Sequence, residues 1–258
     1  MLSSLALILA APGSGQLAYD APAAIPAAPP VENVAIEASD GTLIYGTYYP
    51  AYEARAIVLL FHQAGASREE YATVAPKLAA AGYSALAIDQ RSGGDMFGHN
   101  ETAAEQPLPA SYLDARKDIE AALAWSRRME VPVFLVGSSY SSALVLLVAA
   151  DHPGQVAGVA SFSPGEYLGR DGLVREAAAR VRVPTLIVTT AEAGERLRCG
   201  PIVAALRHAG AELEYEPLVQ GKHGAAVLIE AMNPGGARAS FGILLRWLWR
   251  YTEPATRA

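Results

Sequence analysis

"VPVFLVGSSYSSALVLLVAA", residues 131–150, decides the fold. Its first seven residues form a short run with no polar alternation, as in a strand buried on both faces. From Ser141 the apolar character continues to residue 154, long enough for a helix. Between the two lie four serines in five positions, Ser138, Ser139, Ser141 and Ser142. A buried strand turning directly into a helix is the repeating unit of a parallel sheet with crossover connections.

The same alternation extends outward in both directions. Strands are predicted at 42–50, 56–63, 83–90, 156–163, 184–190 and 213–219. Helices are predicted at 67–82, 112–128, 173–180, 200–210 and 239–252, the first despite Pro76. The fold class expected is α/β: a mostly parallel central sheet flanked by helices on both faces, with no large cap domain. One domain spans 31–258.

In such sheets chemistry collects at the carboxyl ends of the strands. A nucleophile on the strand-to-helix turn needs a strained backbone, with small residues two before and two after it. Ser138 has Val136 and Tyr140 at those places, both too large. Ser141 and Ser142 lie inside the helix. Ser139, between Gly137 and Ser141, meets the requirement. A hydroxyl needs an imidazole to take its proton, and the imidazole needs a carboxylate to orient it. "VQGKHGAAV" places His223 in a glycine-flanked loop after the last strand. His152 and His208 sit near helix ends, His99 lies in a polar loop and His62 follows a strand. For the acid, "LIVTTAEAGER" offers Glu192, nearest the strand end, with Glu195, Glu166 and Asp171 as fallbacks. Two N–H donors to an oxyanion are expected from the backbones of Tyr140 and Gln63, the latter in "HQAGAS" (62–67).

Taken together, "FHQAGASREEY", "AIDQRSGGD", "VGSSYSSALVL", "SFSPGEYL", "TTAEAGE" and "GKHG", in that order, resemble the α/β-hydrolase superfamily in its dienelactone-hydrolase-like bacterial branch. The resemblance runs from about Gly41 to Trp249. It implies a Ser139–Glu192–His223 triad, an oxyanion hole at Gln63 and Tyr140, and no metal or organic cofactor. Two positions depart from the family pattern: Ser141 stands where Gly is usual, and Glu192 where Asp is usual. Dienelactone hydrolases proper carry a cysteine where this sequence has Ser139, which points towards ester hydrolysis. The reaction expected is hydrolysis of small carboxylic esters through an acyl-Ser139. Cleavage of amides, lactones or polyesters, or a silent ligand-binding member, stay open beside it. The loops 92–111 and 164–172 are expected to wall the pocket, with Asp95, Glu105, Glu166 and Arg170 making it partly polar.

Composition narrows the remaining classes. The 258 residues carry a net charge of −6 with scattered Lys and Arg, which argues against nucleic acid as a partner and leaves a small-molecule ester. The single cysteine, Cys199, excludes an internal disulfide and a cysteine-rich zinc site. No H-E-x-x-H, phosphate loop or dinucleotide fingerprint occurs. Residues 1–30 combine a short apolar run, a cleavage candidate at Ala21-Pro22-Ala23 and a Pro/Ala linker. They read as an export signal, hence a secreted or periplasmic protein, or as a wrongly started N-terminus on a cytoplasmic one. The run is too short to span a bilayer.

Overall fold

Eight strands form one sheet in the computed structural model, which describes residues 29–219 and 221–253. They are β1 (Glu32–Glu37), β2 (Leu43–Tyr49), β3 (Ala56–Phe61), β4 (Tyr83–Ile88), β5 (Val133–Ser138), β6 (Gly158–Phe162), β7 (Thr185–Thr190) and β8 (Leu213–Leu218). Their order is β1-β2-β4-β3-β5-β6-β7-β8. The six strands from β4 to β8 in that order run parallel, while β1 and β2 close one edge antiparallel. Every residue of β3 to β7 is buried, which is why those segments read as unbroken aliphatic runs. β1 turns only Val34 and Ile36, at alternate positions, toward the core. Its residues are largely exposed, and pairing with β2 rather than burial makes it a strand. The apolar N-terminal run, the cleavage candidate and most of the linker lie outside the described residues.

The helices are α1 (Ala75–Ala80), α2 (Glu101–Ala104), α3 (Arg116–Ser126), α4 (Tyr140–Asp151), α5 (Leu173–Ala178), α6 (Ala193–Ala209) and α7 (Ala237–Thr252). The single helix expected over 67–82 is instead a 3-10 turn at Arg68–Tyr71 followed by α1. Pro76, with no N–H to give and a fixed φ, occupies the first turn of α1 and sets the break. In α6 the outcome is reversed. The helix begins at Ala193 rather than 200 and runs through Gly200 and Pro201, because Cys199, Ile202, Val203 and Leu206 are buried along its inner face.

Each face of the sheet carries its own core. Ile57, Leu59, Phe61 and Leu135 pack beneath α3 and α4, and Cys199 and Ile202 of α6 join the same cluster. Val58, Leu60, Phe134 and Val136 pack on the other face against α1 and α7, where Trp247 meets Phe134 edge-on at 5.4 Å. Ten of the twelve residues of α4 are buried, so its position over the sheet is tightly specified. Among the described residues no helix is long and apolar enough to cross a membrane.

Candidate active site

Ser139 joins β5 to α4 with φ 55° and ψ −118°, a conformation that a side chain other than glycine's adopts only under constraint. The constraint is packing. A Cβ on Gly137 would lie 2.4 Å from the Ser141 carbonyl oxygen and 2.7 Å from the Ser142 Cα, so the turn closes only over glycine. Ser141, where the family pattern has glycine, is used rather than merely accommodated. Its Oγ lies 2.6 Å from the His62 carbonyl and 2.8 Å from the Gln90 side-chain amide. Both neighbours are acceptors, the His62 carbonyl and Oε1 of Gln90, and they share the single proton that the hydroxyl can give. The hydroxyl thus ties the start of α4 to the loops after β3 and β4.

The structure brings Ser139 and His223 together: His223 Nε2 lies 2.8 Å from Ser139 Oγ. The second ring nitrogen, Nδ1, lies 2.5 Å from Oε1 of Glu195. Glu195, not Glu192, therefore faces the imidazole. Glu192 is the exposed N-cap residue of α6, and its side chain makes no contact with His223. Because the helix starts at Ala193, Glu195 sits in its first turn, where the helix axis carries it back over the ends of β6 and β7. There it is buried and takes three further hydrogen bonds, from the Ser163 hydroxyl, the Thr189 hydroxyl and the Thr190 N–H. Burial pushes the Glu195 pKa up, but the bonds from His223, Thr190, Thr189 and Ser163 outweigh it and hold the carboxyl down at about 2. Two more carboxylates considered for this role lie elsewhere. Glu166 caps the start of α5 through the N–H groups of Val174 and Arg175, and Asp171 is exposed.

Ser163, at the end of β6, lies in "SFSPGEYL" but is given no role by the sequence. It too has a positive φ of 57°, and its Oγ donates to Glu195 while accepting the Gly224 N–H. One hydroxyl therefore holds both the acid and the loop of the base. Gly224 has φ +65°, and a Cβ there would lie 2.4 Å from Ser138 Oγ. The glycine beside His223 thus lets its loop close down on the elbow.

Of the two expected oxyanion donors, Tyr140 is the first residue of α4, where an N–H has no partner within the helix. The expectation for Gln63 is corrected. Its N–H donates to Oε2 of the buried Glu70 at 2.7 Å, inward and away from any ligand. The next amide, Ala64 N–H, donates to no acceptor among the described residues. The Gln63 carbonyl accepts from His62 Nδ1 at 2.8 Å, and His62 Nε2 accepts the Gln90 N–H at 2.9 Å. That pairing fixes His62 as the neutral Nδ1–H tautomer, and burial lowers its pKa to about 4.

The loop 92–111 runs beside the elbow: Ser92 donates to the Tyr140 hydroxyl, and Tyr112 stacks on the Tyr140 ring at 4.4 Å. The four charges expected to give a polar pocket are engaged elsewhere. Asp95 pairs with His99, Glu105 accepts from Tyr45, Glu166 caps α5 and Arg170 pairs with Glu176. Among the described residues no group of three or more His, Cys, Asp or Glu side chains is placed to hold a metal ion. A hydroxyl on a strained turn, an imidazole against it and a carboxylate behind the imidazole can together activate an oxygen nucleophile.

Comparison with known proteins agrees with this fold. Residues 52–233 match the family model described as serine aminopeptidase, S33. No curated protein matches the sequence. Among solved structures, a dienelactone hydrolase from Anabaena variabilis superposes with a TM-score of 0.67 at 21% identity, covering 87% of this chain and 99% of that one. A thermostable carboxyl esterase from Bacillus coagulans gives 0.68 at 13%, covering 86% and 99%. An acylaminoacyl peptidase from Pyrococcus horikoshii gives 0.65 at 14%, covering 88% of this chain and 42% of that one.

Proposed function

The chain belongs to the serine aminopeptidase family of α/β hydrolases, and from that premise we propose that it cleaves small carboxylic esters through an acyl-enzyme on Ser139. The observation that carries the reading is the unbroken hydrogen-bonded line from Ser139 Oγ through His223 to Glu195. His223 Nε2 takes the Ser139 proton as Oγ attacks the carbonyl carbon. The negative charge that forms on the carbonyl oxygen is met by the N–H groups of Tyr140 and Ala64. His223 then returns the proton to the departing alcohol, and a water repeats the cycle to release the acid. Glu195 stays ionised throughout and stabilises the imidazolium.

Small esters are favoured because the site is open. The His223 side chain is 41% exposed, and the connection from β6 to β7 contains α5 but no inserted cap. Amides are the second reading, favoured by the family description and by the acylaminoacyl peptidase among the structural neighbours. The test is covalent labelling with a fluorophosphonate, followed by turnover of matched esters and amides of graded acyl length. Wild type is expected to label and to prefer short esters. Equal labelling of Ser139→Ala would sink the proposal, and faster turnover of the amides would replace it with the second reading.

A further inference from the structure

Directly behind the candidate site lies a carboxylate that takes no part in the acyl transfer proposed for Ser139. Glu70 is 1% exposed and belongs to the 3-10 turn after the 62–67 loop. Its Oε2 accepts the Gln63 N–H at 2.7 Å, and its Oε1 accepts the Ser138 hydroxyl at 2.9 Å and lies 3.3 Å from the Gln63 side-chain NH2. Ser138 Oγ in turn accepts the Ala225 N–H at 2.8 Å. One buried side chain therefore joins three segments that the chemistry must hold in register: the oxyanion loop, the elbow and the base loop.

We propose that Glu70 is a positioning residue, a proton-sensitive clamp whose ionised form fixes the Gln63 peptide against the Ser139 elbow and leaves the Ala64 N–H free for the developing oxyanion. The balance of donors and acceptors sets this behaviour. An ionised carboxylate accepts from every donor around it, whereas a protonated one carries a hydrogen that faces either the Gln63 N–H or the Ser138 hydroxyl. Facing the Gln63 N–H, that hydrogen breaks the bond; facing Ser138, it reverses it and leaves the Ser138 proton without its acceptor, so protonation loosens the clamp on either side.

The setting makes that proton available near neutrality. Burial pushes the Glu70 pKa up to about 7, against the lowering effect of its hydrogen bonds from Gln63 and Ser138 and of the charge on His223. Neighbouring groups are neutral or turned away. His62 is held neutral by burial, and the Tyr71 phenol, pushed well above its usual range by burial, donates to the Phe61 carbonyl. Arg68 faces Asp89 and Glu101.

The inference rests on the proposed acyl transfer, and the test separates the two. The rate of fluorophosphonate labelling is followed against pH for wild type, Glu70→Gln and Ser138→Ala, with the Glu70 carboxyl carbon followed by NMR in labelled protein. In wild type the logarithm of the rate is expected to fall more steeply on the acid side than in Glu70→Gln, by one proton, the one that Glu70 takes up. Glu70→Gln is expected to lose about tenfold at the plateau and to show a limiting slope smaller by about one than wild type. The Glu70 resonance is expected to titrate near neutrality, and to move to higher pH in Ser138→Ala, where the ionised form has lost a donor. A lower rate in Glu70→Gln with the slope unchanged marks a merely structural residue and overturns the assignment, as does a Glu70 carboxyl that titrates in the ordinary range. Should Glu70→Gln not fold, the Ser138→Ala shift decides. A wild type that never labels overturns the acyl-transfer reading and this one together.

Discussion

Three side chains separate the competing descriptions of the site most sharply. Glu195→Gln keeps the shape of the acid but removes its charge, so the imidazolium loses its counter-charge and the ring its preferred tautomer. Turnover is expected to fall by about 10³- to 10⁴-fold. Glu192→Gln, on the exposed N-cap of α6, is expected to leave turnover within about twofold, since surface substitutions away from packed features are usually neutral. Steady-state kinetics on the two variants checks both statements, and a reversed ranking would restore Glu192. Ser163→Ala removes a donor to Glu195 and leaves the Gly224 N–H unpaired in a buried place. The unpaired amide alone costs about 1–3 kcal/mol. A lower melting temperature with turnover down about tenfold is expected; unchanged kinetics would show that the remaining bonds hold Glu195 by themselves.

At the level of elements, the site exists because four strand ends and two helix starts are forced into close approach. Gly137 and Gly224 mark two tight places at the elbow, each with a backbone or side-chain oxygen 2.4 Å from where a Cβ would sit. Gly137→Ala must push α4 away from β5, and α4 is buried on nearly all sides, so global destabilisation of more than about 3 kcal/mol is expected. Gly224→Ala strains a positive φ and collides with the hydroxyl that Glu70 and Ala225 share. There the surrounding loop can yield, and the loss is expected to fall more on turnover than on stability. Comparing denaturant midpoints with labelling rates for the two variants tests the contrast. The element whose limits matter most is α6. A start at Gly200 would leave Glu195 in a loop, whereas burial of Cys199 carries the helix seven residues further toward the strand ends.

For the molecule as a whole, the buried carboxylates set how stability changes with pH. Glu70 has its folded pKa raised from 4.5 to about 7, so the stability linked to its protonated form is fully present below 4.5 and is lost as pH rises through 7. That rise corresponds to about 3 kcal/mol at 1.36 kcal/mol per tenfold change in proton affinity. Glu195 has the opposite sign. Its pKa is lowered from 4.5 to about 2, so its contribution is present above 4.5 and is lost as pH falls toward 2. Thermal melts of wild type and Glu70→Gln are therefore expected to differ least near pH 5 and to diverge by pH 8, the variant being relatively more stable there. Parallel curves would show that Glu70 is ionised at both values. The same ionised form that the clamp requires is the one that folding disfavours, a tension common at active sites.

The fold class, the strained serine at the strand-to-helix turn and its pairing with His223 were legible in the residues themselves. Short aliphatic runs alternating with helical segments fit a parallel sheet covered on both faces, and among the four serines size removes Ser138 while position inside the helix removes Ser141 and Ser142. The acid and the oxyanion loop were not legible. Nearness to the strand end favoured Glu192 over Glu195, and only the packing of α6 against the sheet turned the second toward His223. Likewise, nothing in "HQAGAS" announces that its Gln63 amide is taken by a glutamate seven residues later, buried against the elbow. Side chains whose partners lie close in the chain, or whose role is set by size, can be read from the order of residues. Those whose role is set by direction need the third dimension.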